Sequence, residues 1–323
     1  MAQEVFVFVS HRGGKADDSA LELLSAARVL SPDGSVTALV SGWGTELDQV
    51  CEEMAGRCPE IWKLAHEGLA YPNAEALRKC LLSVLPEGAL LLMAHDTLGM
   101  DLGPGLSVLL DSPFISDVKA MEPPQDGKLR LVREEYGGQV STHLSCDISR
   151  GAVLSIRSGS FPVAQEGAAG EVRDKSPDIG DLSCGRRFLK VVEAEAGEVD
   201  ITKEEILVSV GRGIEDEDNI ELAEDLAKAL GGVVSCSRPI VDAKWLEKPR
   251  QVGTSGKTVK PKVYLALGIS GSFQHLGGLK GSPFIVAVNK NPKAPIFQVA
   301  DVGVVDDLLE FVPLLTERIN DQG

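Results

Sequence analysis

No apolar run in this 323-residue chain approaches the ~20 residues that a helix needs to cross a bilayer, so stable membrane insertion is not expected. Its six cysteines (Cys51, Cys58, Cys80, Cys146, Cys184, Cys236) never fall into a CxxC pair. That removes the usual thiolate metal centre and leaves a reduced, cytoplasmic protein without structural disulfides as the expectation. The five histidines show neither HxH nor HExxH spacing, so no metal site is expected. Positive charge is also scarce overall. With a formal net charge of −16 the chain lacks the basic surface that nucleic acid requires, and the acidic excess reads as a solvated surface. The first residues, MAQEVFVFVS, have no basic stretch ahead of the apolar run and no small-residue cleavage site, so they read as a first strand.

What is present is an alternation of strand and helix signals long enough for two domains. Strand-like runs at 5–9, 35–40, 61–65 and 89–94 alternate with amphipathic stretches at 17–30, 45–57 (Thr45 as N-cap), 73–85 and 98–110. The last of these is interrupted by Gly103-Pro104-Gly105. This rhythm predicts a mostly parallel sheet flanked by helices. From 116 to 156 the helices vanish, and the β-type runs at 117–121, 128–133, 140–144 and 152–156 predict an antiparallel extension. Residues 162–187 read as loop, 188–194 as a closing strand and 193–205 as an acidic linker. The α/β pattern then restarts with strands at 206–210, 233–236, 263–267 and 284–288, a helix at 218–230, and a final helix at 304–319 kinked or broken by Pro313. The expected architecture is two α/β domains. The N-terminal scaffold and subunit-interface domain spans 1–195, and a Rossmann-like domain spans 200–323.

Three glycine-rich signatures in the second domain fail on inspection. Gly211-Arg212-Gly213 has Asp216 where a dinucleotide fingerprint needs its third glycine. Gly256-Lys257-Thr258 has Gln251 where a phosphate loop needs its first. Gly268-Ile269-Ser270-Gly271 is followed by Ser272 where a nucleophile elbow closes with glycine. Residues 238–262 nevertheless carry seven Lys or Arg against two acids, a local excess that suits an anionic cofactor. Ser270 and Gly271 open a predicted helix at 271–279 whose N–H groups and dipole suit phosphate. Thr254, Ser255, Gln251 and Gln274 offer hydrogen bonds to a heteroaromatic ring or polyol. His275 and Arg238 offer positive charge beside a ring that becomes anionic on reduction, and Asn289 and Asp307 suit an adenosine end. FAD combines these parts.

The order SRxxVD, QVGxxGKxVxPxxYxAxGISGxxQH and IVAxNxxPxAPIFxxADxGxVxDL resembles the flavin domain of the electron transfer flavoprotein alpha subunit, densely across 206–312. LGMDLGPGLSVLLDSPFISDVKAM (98–121), YGGQVSTHL (136–144) and VLSIRSGSFP (153–162) extend the resemblance over nearly the whole chain. The resemblance implies a carrier without a substrate of its own. It would hold FAD, pair with a beta subunit as a heterodimer, and move electrons between a flavoprotein dehydrogenase and a downstream acceptor. It implies Arg238 over the isoalloxazine, with Ser237 and Arg212 near the ring and diphosphate. Gln251, Gly253, Thr254 and Ser255 would form the loop at flavin N5 and the ribityl chain. Gln274 and His275 would form a pair whose histidine donates toward the C2 carbonyl, Ser270 and Gly271 the pyrophosphate loop, and Asn289 and Asp307 the adenosine side. Arg238, His275 and Ser255 would tune the flavin. The chain departs from the family at Thr254-Ser255-Gly256, where Gln-Thr-Gly is usual, so a threonine with a restricted rotamer is replaced by a freer serine.

Other readings stay open. A bifurcating form would carry a second FAD in the beta subunit and oxidise NADH, and the deciding site would lie in that partner. A self-contained flavin or nicotinamide oxidoreductase lacks an acid–base pair and an intact GxGxxG. A hydrolase on Ser270 and His275 lacks an orienting acid, and a plain adenine-nucleotide module would be colourless. Singly, Arg238 reads as a surface ion-pair residue, His275 as a satisfied core histidine and Asp306-Asp307 as helix-start acids.

Overall fold

The computed structural model describes residues 4–32, 36–136, 140–167, 169–190, 199–281 and 283–321. The chain forms two compact units, Met1–Lys190 and Val191–Gly323. The closing strand expected at 188–194, most of the linker at 193–205, Ser35 and the glycines of YGGQVSTHL lie wholly or partly outside the described residues. Phe188, Leu189 and Lys190 themselves carry no strand.

In unit 1 the elements are β1 (Val5–Val9), the small hairpin β2 (His11–Arg12) and β3 (Lys15–Ala16), α1 (Asp18–Leu30), β4 (Val36–Gly42), α2 (Thr45–Ala55), β5 (Glu60–Ala65), α3 (Ala74–Val84), β6 (Leu90–Ala94), α4 (Thr97–Leu109), β7 (Phe114–Met121), β8 (Lys128–Glu135), β9 (Val140–Asp147), β10 (Ala152–Ile156) and β11 (Glu171–Asp174). The large sheet runs β11-β5-β4-β1-β6-β10-β7-β8-β9. Its strands are parallel from β11 to β7 and antiparallel from β7 to β9, so the run at 152–156, expected in the antiparallel extension, stands instead in the parallel core as β10. β1, β4, β6 and β10 are buried along their whole length, as strands covered on both faces must be. One face packs on α1 and α2 through Leu23, Leu24, Leu47 and Met54, the other on α3 and α4 through Leu77, Leu81, Leu102 and Leu106.

Three local expectations are corrected here. α4 is not interrupted: it runs continuously through Gly103-Pro104-Gly105. Pro104 stands on the exposed face, where the carbonyl it frees can be hydrated, and Gly103 is needed for packing, since a Cβ there would lie 2.5 Å from the Phe114 ring. β11 forms inside the stretch read as loop. All four of its residues are exposed and mostly polar, so it has no hydrophobic alternation to announce it. Thr45 is the first helical residue of α2, and Gly44, at φ +76°, holds the N-cap position.

In unit 2 the elements are β12 (Ile206–Val210), α5 (Ile220–Leu230), β13 (Val233–Cys236), α6 (Arg238–Asp242), β14 (Val263–Leu267), α7 (Phe273–Leu276), β15 (Phe284–Val288), β16 (Val302–Val304) and α8 (Leu308–Asn320). The five strands are all parallel in the order β13-β12-β14-β15-β16. α5 and α8 cover one face of the sheet through Leu226, Leu308 and Val312. The other face buries Tyr264, Ala266 and Ile285 with Val252, Val259 and Ile296 from the connecting segments. The final helix starts at Leu308 and not at 304, because residues 302–304 pair with β15 as an edge strand. From there it runs unbroken through Pro313.

Candidate functional site

β12 leads through α5 to β13 on one side of itself, and the chain then crosses to β14 on the other. The order therefore reverses between β12 and β14, and the crevice beyond the carboxyl ends of those strands is where open α/β sheets bind ligands. Gly211, Ser237, Gly268 and Asn289 each directly follow a strand and so stand on that edge. Two glycines make the turns at the switch point fit. Gly213 N–H donates to the Gly268 carbonyl at 3.1 Å. A Cβ on Gly213 would come within 2.7 Å of Gly268 Cα, and one on Gly268, at φ +63°, within 2.6 Å of Gly213 Cα.

After α6 the chain returns to the end of β13, where the 251–256 segment begins by pairing in parallel beside it: Val252 N–H donates to the Cys236 carbonyl at 2.9 Å. α7 closes on this segment, with Thr254 N–H donating to the Gln274 carbonyl at 2.8 Å. A Cβ on Gly278 would stand 2.5 Å from Gly253 Cα. Gln251, Gly253, Thr254, Ser255, Gln274 and His275 are thereby brought together. Ser237, at the end of β13, adjoins them through Cys236. Gly268, Ser270 and Asn289 form a second group, tied by a 2.9 Å bond from Asn289 Nδ2 to the Ile269 carbonyl. Arg212, Thr254, Ser255, Ser270, Gln274 and Arg238 are exposed, while Ser237, Gln251 and His275 are buried.

His275 does not supply charge. Its ring is 5% exposed, and burial pushes its pKa down to about 4 against a smaller upward pull from the Val252 carbonyl. At neutral pH it is an uncharged imidazole, so it does not offer the positive charge expected of it. Its Nε2 lies 2.7 Å from the Tyr264 hydroxyl, and among the described residues its buried Nδ1 has no partner in ordinary hydrogen-bond geometry. Tyr264 is fully buried, which raises its phenol pKa. The Ser209 and Ser235 hydroxyls beside it offset part of that rise without reaching ordinary hydrogen-bond geometry.

Three further placements differ from expectation. α7 spans only Phe273–Leu276, too short to carry the helix dipole expected over 271–279. The cationic stretch is not one patch: Lys262 pairs with Glu205 at 2.7 Å at the opposite, amino end of β14, and Arg250 donates to the Val234 carbonyl at 2.8 Å. Arg238 keeps an exposed guanidinium at the start of α6, 3.4 Å from Asp242. Asp307 caps α8 by accepting from Leu309 N–H at 2.9 Å and also meets Lys290 at 3.0 Å, while Lys290 reaches Glu215 at 2.8 Å. Tyr264 and Lys290 escaped the sequence reading. Tyr264 sits mid-strand, where an aromatic reads as core, and Lys290 sits in a turn already assigned to Asn289.

These residues fit a dinucleotide with a flat ring. Exposed hydroxyls and amides at Thr254, Ser255, Ser270 and Gln274 offer directed hydrogen bonds, and the paired glycines let backbone approach closely. The Nδ1 of His275, without a partner in ordinary geometry among the described residues, is a buried polar atom that can take one. Two family matches agree. Residues 200–280 match the electron transfer flavoprotein FAD-binding domain, and residues 5–179 match the electron transfer flavoprotein domain. The chain is 31% identical over 322 residues to an electron transfer flavoprotein subunit alpha of Thermoanaerobacterium thermosaccharolyticum, covering 98% of each chain. It is 32% identical over 352 residues to an acryloyl-CoA reductase electron transfer subunit beta of Anaerotignum propionicum, covering 99% of this chain and 96% of the relative. It is 34% identical over 324 residues to a probable mitochondrial electron transfer flavoprotein subunit alpha of Cryptococcus neoformans, covering 97% and 91%. With a doubly wound second unit whose glycine-lined crevice suits a flavin dinucleotide, the chain belongs to the alpha subunits of the electron transfer flavoproteins, which bind FAD and carry electrons.

Proposed function

We propose that the chain holds one FAD along the carboxyl edge of the unit 2 sheet. Paired with a beta subunit in the cytoplasm, it would shuttle electrons from a flavoprotein dehydrogenase of the acyl-CoA dehydrogenase type to a downstream acceptor. The observation that carries this reading is the convergence of the 251–256 loop and α7 beside the β12–β14 switch point. Bound FAD supplies a ring that takes up and releases electrons. The chain's own residues set how readily it does so.

Arg238 contributes a permanent cation on an exposed guanidinium, which favours negative charge on the ring. His275, uncharged, contributes a hydrogen bond from Nδ1–H, and Tyr264 holds the imidazole by donating its hydroxyl proton to Nε2. Ser255 contributes an O–H donor, and Arg212 and Ser270 hold the diphosphate. Asn289 acts indirectly: its side chain donates to the Ile269 carbonyl and accepts from Asn291 N–H, shaping the turn at the adenosine end. Asp307 is engaged by Lys290 and the α8 cap, so its part at the adenosine end is shared with Lys290. Unit 1 acts as scaffold and subunit interface, with 1–195 and 200–323 as the working division.

The relative named as an electron transfer subunit of an acryloyl-CoA reductase favours a second direction of transfer, toward a reductase. Anaerobic stepwise reduction of the chain co-purified with its beta partner, followed by visible absorbance and flavin counting, tests the simple carrier against the bifurcating form. One FAD per heterodimer with a distinct one-electron stage supports the simple carrier. Two FADs of well-separated potential, reducible by NADH, would replace it with the bifurcating form, and a protein that takes up no FAD would end both readings.

A further inference from the structure

The 251–256 loop is built around a side chain that does not reach the surface. Gln251 is 3% exposed, and its Nε2 donates to Ser255 Oγ at 2.9 Å. The backbone closes on the same residue, with the Gln251 carbonyl accepting from Lys257 N–H at 2.7 Å. Gly256 makes room for this: a Cβ there would collide with the Gln251 carbonyl oxygen and stand 3.0 Å from its Cγ. Gln251 is thus held firmly, while Ser255, four residues on, is exposed.

A hydroxyl has one proton and two lone pairs. The Gln251 amide N–H occupies one lone pair of Ser255, so the Ser255 proton is directed away from Gln251. A donor into the oxygen also polarises the O–H and strengthens it as a donor in turn. Serine by itself samples three staggered χ1 wells, where the branched side chain of threonine is restricted. The buried amide supplies the restraint that this chain gave up by having Ser255.

We propose that Gln251 is a positioning residue, not a direct FAD ligand. Its amide fixes Ser255 Oγ and presents the O–H outward as an aimed donor to the flavin ring. The inference rests on the assignment of Ser255 to the ring made above. In Gln251→Glu the side chain keeps its shape, but its carboxylate can only accept. The Ser255 proton then turns inward and the ring loses its donor.

The test uses the FAD-loaded heterodimer and reads the midpoint potential of the first electron together with FAD dissociation. Ser255→Ala and Gln251→Glu are each expected to weaken uptake of the first electron by about tenfold, or about 59 mV for a one-electron step. Combining Ser255→Ala with the uncharged Gln251→Leu should add nothing, because both act through the same hydrogen bond, whereas the carboxylate of Gln251→Glu adds a charge of its own. In Gln251→Leu the same loss is expected, and Ser255→Thr in that background should restore most of it. Additive losses in the double variant, no rescue by threonine, or an unchanged potential in Gln251→Glu would overturn the proposal. So would loss of FAD from both Gln251 variants, since a strut for the loop would then explain the residue. An unchanged potential in Ser255→Ala would instead remove the assignment of Ser255 to the ring, and this inference with it.

Discussion

The Tyr264 hydroxyl and His275 Nε2 lie 2.7 Å apart inside unit 2, on side chains 0% and 5% exposed. The fold therefore binds the neutral imidazole and refuses the proton. The histidine's pKa is depressed from 6.5 to about 4, so the unfolded chain holds more protons between those values and stability rises with pH there. This contribution is complete above pH 6.5 and is lost as pH falls toward 4, by up to roughly 3 kcal/mol. Urea unfolding at pH 7.5, 5.5 and 4.5 should show a loss in the native chain that His275→Gln lacks. Parallel curves for the two would contradict it.

Removing the hydroxyl while keeping the ring isolates the bond itself. Tyr264→Phe leaves His275 Nε2 buried beside an Nδ1 that has no partner in ordinary geometry among the described residues. The expected cost is about 1–3 kcal/mol, read as a lower denaturant midpoint with an unchanged slope. A midpoint equal to the native one would mean that the hydroxyl is not holding the ring.

The sequence conveyed the strands well because their patterns are unambiguous. Val5–Val9 and Val263–Leu267 are short apolar runs that end at polar or glycine residues, and the carboxyl-edge crevice follows from where they stop. Elements without such a pattern were not legible. β11 is exposed and polar, and α7 is cut to four residues by the glycines at 277 and 278. α4 looks broken in composition, yet its glycine meets a Phe114 ring that is distant from it in any one-dimensional reading. The state of His275 was illegible for a related reason. A histidine's charge is set by what buries it, and the burying groups, Tyr264 and the Val252 segment, come from other elements.

The contact between Gly213 and Gly268 should tolerate no side chain. In Gly268→Ala the new Cβ would face Gly213 Cα at 2.6 Å, at a φ of +63° that L residues rarely adopt. Backbone on both sides leaves nothing to rotate away. The expected outcome is loss of bound FAD and a destabilisation of about 2 kcal/mol or more. Flavin absorbance of the purified protein and a melting curve report both, and a variant that keeps its flavin at native affinity would show that the turns are not the cradle.

The α4 glycines give a paired comparison within one helix. Gly103→Ala would push a Cβ to 2.5 Å from the Phe114 ring, while Gly105→Ala would meet Arg78 Nε at 2.9 Å, on a long side chain. Alanine gains helix propensity of about 1 kcal/mol over glycine at either position. At Gly105 that gain should offset the displacement of Arg78. At Gly103 the packing strain of about 1–3 kcal/mol should exceed it. Thermal melts should therefore rank Gly103→Ala clearly below Gly105→Ala, and the reverse order would be incompatible with the Phe114 contact.

Arg157 joins the parallel core to the antiparallel extension. From the end of β10 its Nε and Nη2 reach both carboxylate oxygens of Asp117 on β7, at 2.8 and 2.6 Å, and its Nη1 reaches Glu134 on β8 at 2.5 Å. Asp117 stands at φ +60°, a conformation that Asn and Asp accept more readily than other branched residues. Burial works to raise its carboxyl pKa, but the Arg157 hydrogen bonds and the nearby charges outweigh it and hold the group below its usual 3.8. Because the folded pKa is the lower one, the stabilisation is present above about pH 3.8 and disappears as pH falls through the folded value. Asp117→Asn keeps the backbone and loses the charge, so it should cost about 1–3 kcal/mol at pH 7 and have less to lose below pH 4. Asp117→Ala should cost more, since alanine must also bear the left-handed backbone. Denaturation of the three proteins at pH 7 and pH 3 separates the two contributions. Equal stability of the Asn and Ala variants would show that the backbone at 117 relaxes once the arginine is released.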